Sequence, residues 1–145
     1  MEIISQSYAQ TESVGEKFAK TLKGTEVIAL FGELGAGKTA FTRGLCRGLA
    51  VTDDVASPTF AIVNEYRGKF NVYHFDMYRI QTIDDLYSTG YFDYLDSGIL
   101  VIEWSENIES VLPENAIKIT IKYGTNENER IIGIEGTDFN EDFSA

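Results

Sequence analysis

The sequence predicts an α/β fold: a mixed sheet, partly parallel and partly antiparallel, flanked by helices in three layers. Three observations carry this. An apolar run over 25–31 ends at Gly32, and a helical stripe begins at Lys38, so a buried strand passes through a glycine-rich turn into a helix. Two pairs of β-branched and aromatic segments, 59–66 with 69–77 and 117–123 with 130–135, lie close enough in sequence to pair antiparallel. Few helical segments separate the later strands, so crossovers cannot make every strand parallel.

The elements follow in order. Segment 2–7 reads as an edge strand, and 11–22 as a helix, because Val14, Phe18 and Leu22 share one face. Beyond the glycine-rich turn, 38–49 continues as a helix with Phe41, Leu45 and Leu49 on one stripe. Arg67-Gly68 closes a hairpin between 59–66 and 69–77. Short helices are expected at 83–87 and 91–95, a second buried strand at 98–103, and a β-pair at 117–123 and 130–135. With no repeat or linker, 1–136 is expected to form one domain, and the acidic segment 137–145 a flexible tail.

Composition narrows the function classes. Twelve Lys and Arg against 23 Asp and Glu give a net charge of −11, which disfavours autonomous binding of a long nucleic acid, since that needs a basic face to displace counterions. Contacts with another protein, or with one small anion, fit better. The longest aliphatic stretch, Ile99-Leu100-Val101-Ile102, is too short to span a membrane, and the segment Met1-Glu2-Ile3-Ile4-Ser5-Gln6 does not resemble a secretory signal. The single Cys46 cannot form an internal disulfide. These features lead us to expect a cytoplasmic protein that does not enter a membrane.

Chemistry concentrates in Gly32-Glu33-Leu34-Gly35-Ala36-Gly37-Lys38-Thr39. The pattern G-x-x-x-x-G-K-[ST] between a strand and a helix is the phosphate-binding P-loop. Its glycines let backbone N–H groups turn inward as an anion nest, and the following helix aims its positive end at the same point. Lys38 is expected to reach the β- and γ-phosphates, and the Thr39 hydroxyl to ligate Mg²⁺. The fold class is thereby narrowed to a P-loop NTPase-type domain. Strings that read guanine are absent, so ATP is the expected nucleotide. Beyond the loop helix, only Arg67, Arg79 and Arg130 are available, scattered along the chain, which disfavours a self-sufficient small-molecule kinase.

A nucleotide hydrolase needs a carboxylate near Mg²⁺ and a group to orient water. Asp76 closes one apolar strand and Glu103 another, at the sheet edge where the glycine loop also emerges. Which acid serves the metal and which the water stays open. Alternation places His74, the sole histidine, on the strand face of Asp76. Trp104 packs either in the core or beside the site. In Ser57-Pro58-Thr59, Pro58 fixes the chain before a hydroxyl that can sense the γ-phosphate or metal.

Together the glycine loop, Ser57-Pro58-Thr59-Phe60, His74-Phe75-Asp76-Met77-Tyr78-Arg79, Tyr91-Phe92-Asp93-Tyr94-Leu95, Val101-Ile102-Glu103-Trp104 and Leu112-Pro113 resemble the TsaE family of bacterial P-loop ATPases. The resemblance runs from about Thr11 to Leu112, and Ala40 replaces a second hydroxyl residue common after the motif threonine. It implies an ATP-hydrolysing component of the machinery that builds N6-threonylcarbamoyladenosine in tRNA. Such a component does not transfer the threonylcarbamoyl group; it docks on a TsaD–TsaB heterodimer, drives its turnover, and meets tRNA only through that complex. By the same resemblance, Thr11 and the loop through Ala40 contact the nucleotide. Lys38, Asp76 and Glu103 carry catalysis, and Thr39, Asp76 and Glu103 hold Mg²⁺. Ser57, Thr59 and Trp104 report the nucleotide state. A nucleotide-gated binding module without hydrolysis is the competing reading.

Overall fold

A computed structural model describes residues 1–33, 35–56, 58 and 63–137. Leu34, the expected sensor residues Ser57 and Thr59, the first residues expected in the hairpin (59–62) and the expected tail beyond Thr137 lie outside the described residues.

Seven strands form one sheet: β1 (Glu2–Ser5), β2 (Val27–Phe31), β3 (Val63–Arg67), β4 (Asn71–Asp76), β5 (Ile99–Glu103), β6 (Ile117–Tyr123) and β7 (Arg130–Glu135). Their spatial order is β1-β7-β6-β2-β5-β4-β3. The centre is parallel, with β2 between β5 and β6 and β4 beside β5. The pairings β3–β4, β6–β7 and β1–β7 are antiparallel. The mixed sheet expected from the sequence is therefore the one observed. Every residue of β5 is buried, as the unbroken Ile99–Ile102 run requires of a strand covered on both faces.

Helices α1 (Tyr8–Ala19) and α2 (Lys38–Gly48) cover one face. They bury Val14, Phe18, Phe41 and Leu45 against Ile28, Leu30, Val101 and Ile119. The other face packs Phe75, Met77, Leu100 and Ile102 against Leu86 and Tyr91 of α3 (Ile83–Ser88) and α4 (Tyr91–Tyr94), and against a 3-10 helix over Ser105–Val111. Burial pushes the Cys46 thiol up to about 12, so this residue is core and not a nucleophile.

Helix α1 begins three residues before the periodic stripe that predicts it. The reason is capping: the Ser7 hydroxyl accepts the Gln10 N–H and starts the helix at Tyr8. This shift brings Tyr8 to the glycine loop. Strand β1 correspondingly stops at Ser5 rather than Ser7. The 3-10 helix after Glu103 carries no clear helical stripe in the sequence and is found only in the structure.

Strand order positions the site. The parallel strands β2, β4 and β5 all end at one edge, so the loop after Phe31 and the terminal acids of β4 and β5 emerge together. Asp76 and Glu103 are register partners. Both lie an even number of residues from side chains that pack under α1 and α2 (Val72, Ile99 and Val101), so both acids rise on the face that α2 covers. His74 lies on that face as well.

Candidate functional site

The glycine loop leaves β2 and enters α2 with Gly37 as the residue before the helix, at φ 114°. That left-handed conformation is open to glycine and strained for any residue with a Cβ. Gly32 is required for closeness: an added Cβ would lie 2.5 Å from the Ile121 carbonyl oxygen. The loop is clamped from the far end of the chain. Arg130 on β7 donates its Nε–H to the Ala36 carbonyl at 3.1 Å and holds its guanidinium 4.5 Å over the Tyr123 ring.

A cleft of about 840 Å³ opens at this edge. Its walls include Gly35, Gly37, Lys38, Thr39 and Ala40 from the loop and helix, Asp76 and Glu103 from the strands, and Trp104. Seven residues proposed from sequence for phosphate, metal or catalysis are thus gathered with Trp104 around one space of nucleotide size. Thr11 and Ala36 are buried behind it. The Thr11 hydroxyl pairs with Ser5 Oγ at 2.8 Å, and its methyl backs Gly37. Gly32 and Glu33 line a second groove that shares Trp104, and the Gly32 N–H points to Glu106 Oε2 at 3.3 Å.

Lys38 is only 5% exposed. Its ammonium donates to the Gly32 carbonyl at 2.6 Å and sits 4.2 Å over the Trp104 ring. Trp104 presents that ring from a left-handed backbone, φ 60° and ψ 42°, a conformation costly for a non-glycine residue. Tyr78 supports the indole from 5.0 Å. Such strain is tolerated where surrounding structure over-determines the position, and functional sites are the usual place.

The two acids differ. Glu103 is buried, and its Oε2 lies 2.5 Å from His74 Nε2. Asp76 is half-buried and accepts the Tyr78 N–H at 2.9 Å. Burial raises the Asp76 carboxyl above its usual range, and the nearby Glu103 charge adds to this, while the Tyr78 N–H opposes it. Two carboxylates crowded beside a lysine and a threonine hydroxyl are relieved by a cation. Among the described residues no group of three His, Cys, Asp or Glu forms a protein cage. Magnesium needs none, since one or two carboxylates plus phosphate oxygens and water suffice. The hard-oxygen set of Thr39, Asp76 and Glu103 fits it.

Sequence reasoning missed four residues here. Tyr8, Arg43 and Tyr78 line the cleft, and Arg130 braces the loop. Arg43, one turn beyond Thr39 on α2, also donates to the Val55 carbonyl at 3.2 Å and so ties Val55 to the helix. Its helical spacing from Thr39 was a usable signal; Tyr8 and Arg130 had none.

The family model described as "Threonylcarbamoyl adenosine biosynthesis protein TsaE" matches residues 5–132. The chain belongs to the TsaE family. Relatives named tRNA threonylcarbamoyladenosine biosynthesis protein TsaE include that of Rickettsia prowazekii, 36% identical over 94% of this chain and 96% of its own length. The Bacillus subtilis protein of that name is 37% identical over 84% of this chain and 77% of its own. The crystal structure of Bacillus subtilis YdiB superposes with a TM-score of 0.75 at 34% identity, covering 91% of this chain and 82% of that one. TsaE membership agrees with the resemblance carried by the loop, the His74–Arg79 segment and Glu103-Trp104. No described helix is long and apolar enough to cross a membrane.

Proposed function

We propose that this TsaE-family chain binds and hydrolyses ATP with Mg²⁺ as part of tRNA threonylcarbamoyladenosine biosynthesis, driving turnover of a cytoplasmic TsaD–TsaB heterodimer. It leaves the threonylcarbamoyl transfer to its partners. The observation that carries the reading is the register pairing of Asp76 with Glu103 at the wall of the cleft formed by Lys38 and Thr39. Phosphoryl transfer asks a protein mainly to position groups and stabilise charge, and these four residues supply the parts.

Lys38 and the loop N–H groups hold the β- and γ-phosphates. Thr39, Asp76 and Glu103 hold Mg²⁺, which when bound neutralises charge on the phosphate oxygens. The better-shielded of the two acids, Glu103, orients the attacking water. The net charge of −11 suits a protein whose partners hold the tRNA.

The reading is tested by ATP turnover with and without the TsaD–TsaB pair, repeated with Glu103→Ala. Slow turnover alone, acceleration by the pair, and loss of that acceleration in Glu103→Ala are expected. In related enzymes a supplied arginine contributes roughly 10³–10⁵ in rate, which sets the scale of stimulation a partner can give. Fast turnover by the isolated chain, indifferent to the heterodimer, would overturn the partner-driven role. Nucleotide binding with no hydrolysis under any condition would replace it with a nucleotide-gated binding module.

A further inference from the structure

We infer that His74 is a positioning residue, holding the Glu103 carboxylate in its working orientation through a hydrogen bond donated from Nε2. The inference deepens the hydrolytic reading above and rests on it for its kinetic consequence.

His74 is fully buried, yet only half satisfied. Nε2 lies 2.5 Å from Glu103 Oε2, while Nδ1 has no hydrogen-bond partner among the described residues. The other buried residues of this face on the two strands are Val72, Ile99 and Val101, besides Glu103 itself. An imidazole with an orphaned nitrogen is a poor choice for packing alone; a leucine or phenylalanine would fill the place without stranding a polar atom. Among the described residues, the one hydrogen bond of His74 goes to an acid that lines the cleft.

The orphaned atom also decides the tautomer. A neutral ring protonated at Nδ1 would bury an unsatisfied N–H. The Nε2–H tautomer leaves only a lone pair unmatched, the less costly defect. Nε2 is then the donor and Glu103 Oε2 the acceptor. That engages one carboxylate oxygen and leaves the other for the occupant of the cleft.

The geometry arises from the sheet. Asp76 is the register partner of Glu103, and His74 is two residues back on the same strand and face. This diagonal is within reach of long side chains. Glu103 is also followed by the left-handed Trp104 backbone, so the acid is constrained at its main chain and at its tip. Residues that orient a working group through one hydrogen bond are typically worth roughly 10- to 100-fold in activity.

Three variants test the kinetic part, assayed for ATP turnover with the TsaD–TsaB pair. His74→Leu is expected to lower kcat roughly 10- to 100-fold with little change in KM. His74→Gln should recover most of the rate, because its amide nitrogen reaches the position of Nε2. His74→Asn should not, since its nitrogen reaches only as far as Nδ1. Full rate in His74→Leu, or His74→Gln no better than His74→Leu in folded protein, would overturn the inference.

A second readout needs no turnover. His74 is the only histidine, so histidine-selective ¹⁵N labelling gives one unambiguous ring. The proton is expected on Nε2 rather than Nδ1, with a low-field resonance lost in Glu103→Ala. A proton on Nδ1, or an Nε2–H resonance unchanged by Glu103→Ala, would overturn the pairing. Wild-type protein that binds but never hydrolyses ATP would sink the hydrolytic reading, and the nitrogen spectrum would then decide the His74–Glu103 pairing separately.

Discussion

The Lys38 ammonium lies 4.2 Å over the ring of Trp104 while donating a 2.6 Å hydrogen bond to the Gly32 carbonyl. The lysine is thus parked between the start of its own loop and the residue after β5, with its charge shared between a carbonyl dipole and an aromatic face. A cation at this distance from a ring contributes about 0.5–2 kcal/mol, depending on desolvation. A phosphate entering the cleft competes for the same ammonium.

Trp104 fluorescence should therefore report occupancy. As the sole tryptophan, it gives a single-site signal. Saturating Mg²⁺–ADP or Mg²⁺–ATP is expected to shift its emission, because the ammonium leaves the indole face for the phosphates. Lys38→Ala should alter the starting spectrum and lose the shift. An emission spectrum indifferent to bound nucleotide, with binding verified by calorimetry, would refute the competition.

Lys38→Ala should also weaken ATP binding. A hydrogen bond to a charged group contributes about 1.5–3 kcal/mol, which corresponds to roughly 10- to 150-fold in Kd. Calorimetry is the direct measurement. Because the lysine also braces Gly32, a small fall in thermal stability is expected alongside.

Asp76→Asn should stabilise the nucleotide-free protein. The folded-state pKa of Asp76 is raised above the ordinary aspartate value of 3.8, by burial first and then by the Glu103 charge. Between the two pKa values the native state binds more protons than the unfolded chain. Stability therefore falls as pH rises through that window, and the penalty persists at neutral pH. Asparagine carries no charge and keeps an oxygen for the Tyr78 N–H. Thermal unfolding should show a higher Tm for Asp76→Asn at neutral pH, with the gap closing towards pH 3.8. Magnesium dependence of nucleotide binding should weaken in the same variant.

Gly44→Ala should destabilise the domain through the contact between α1 and α2. A Cβ at Gly44 would lie 1.8 Å from the Glu12 carbonyl oxygen and 2.5 Å from its carbon. Backbone cannot yield as a flexible side chain does, so the helices must separate. Overpacking of this kind costs about 1–3 kcal/mol. Denaturant unfolding measures it, and Gly15→Ala, whose Cβ would meet the Phe41 carbonyl at 2.3 Å, should behave alike.

Much of this protein was legible along the chain because the governing physics is local. The run from Val27 to Phe31, the glycines before Lys38, and the stripe of Phe41, Leu45 and Leu49 state strand, turn and helix within about two dozen residues. Asp76 and Glu103 were recognisable because each closes an apolar strand. Tertiary structure decided what crosses between segments. Only the adjacency of β4 and β5 makes Asp76 and Glu103 partners and puts His74 on the Glu103 carboxylate. Only the β6–β7 hairpin carries Arg130 to the Ala36 carbonyl, 94 residues away in sequence. The cap at Ser7 shifts α1 from the expected 11–22 to Tyr8–Ala19 and delivers Tyr8 to the cleft. Periodicity records which face of an element is buried, whereas strand order and register determine which buried faces meet.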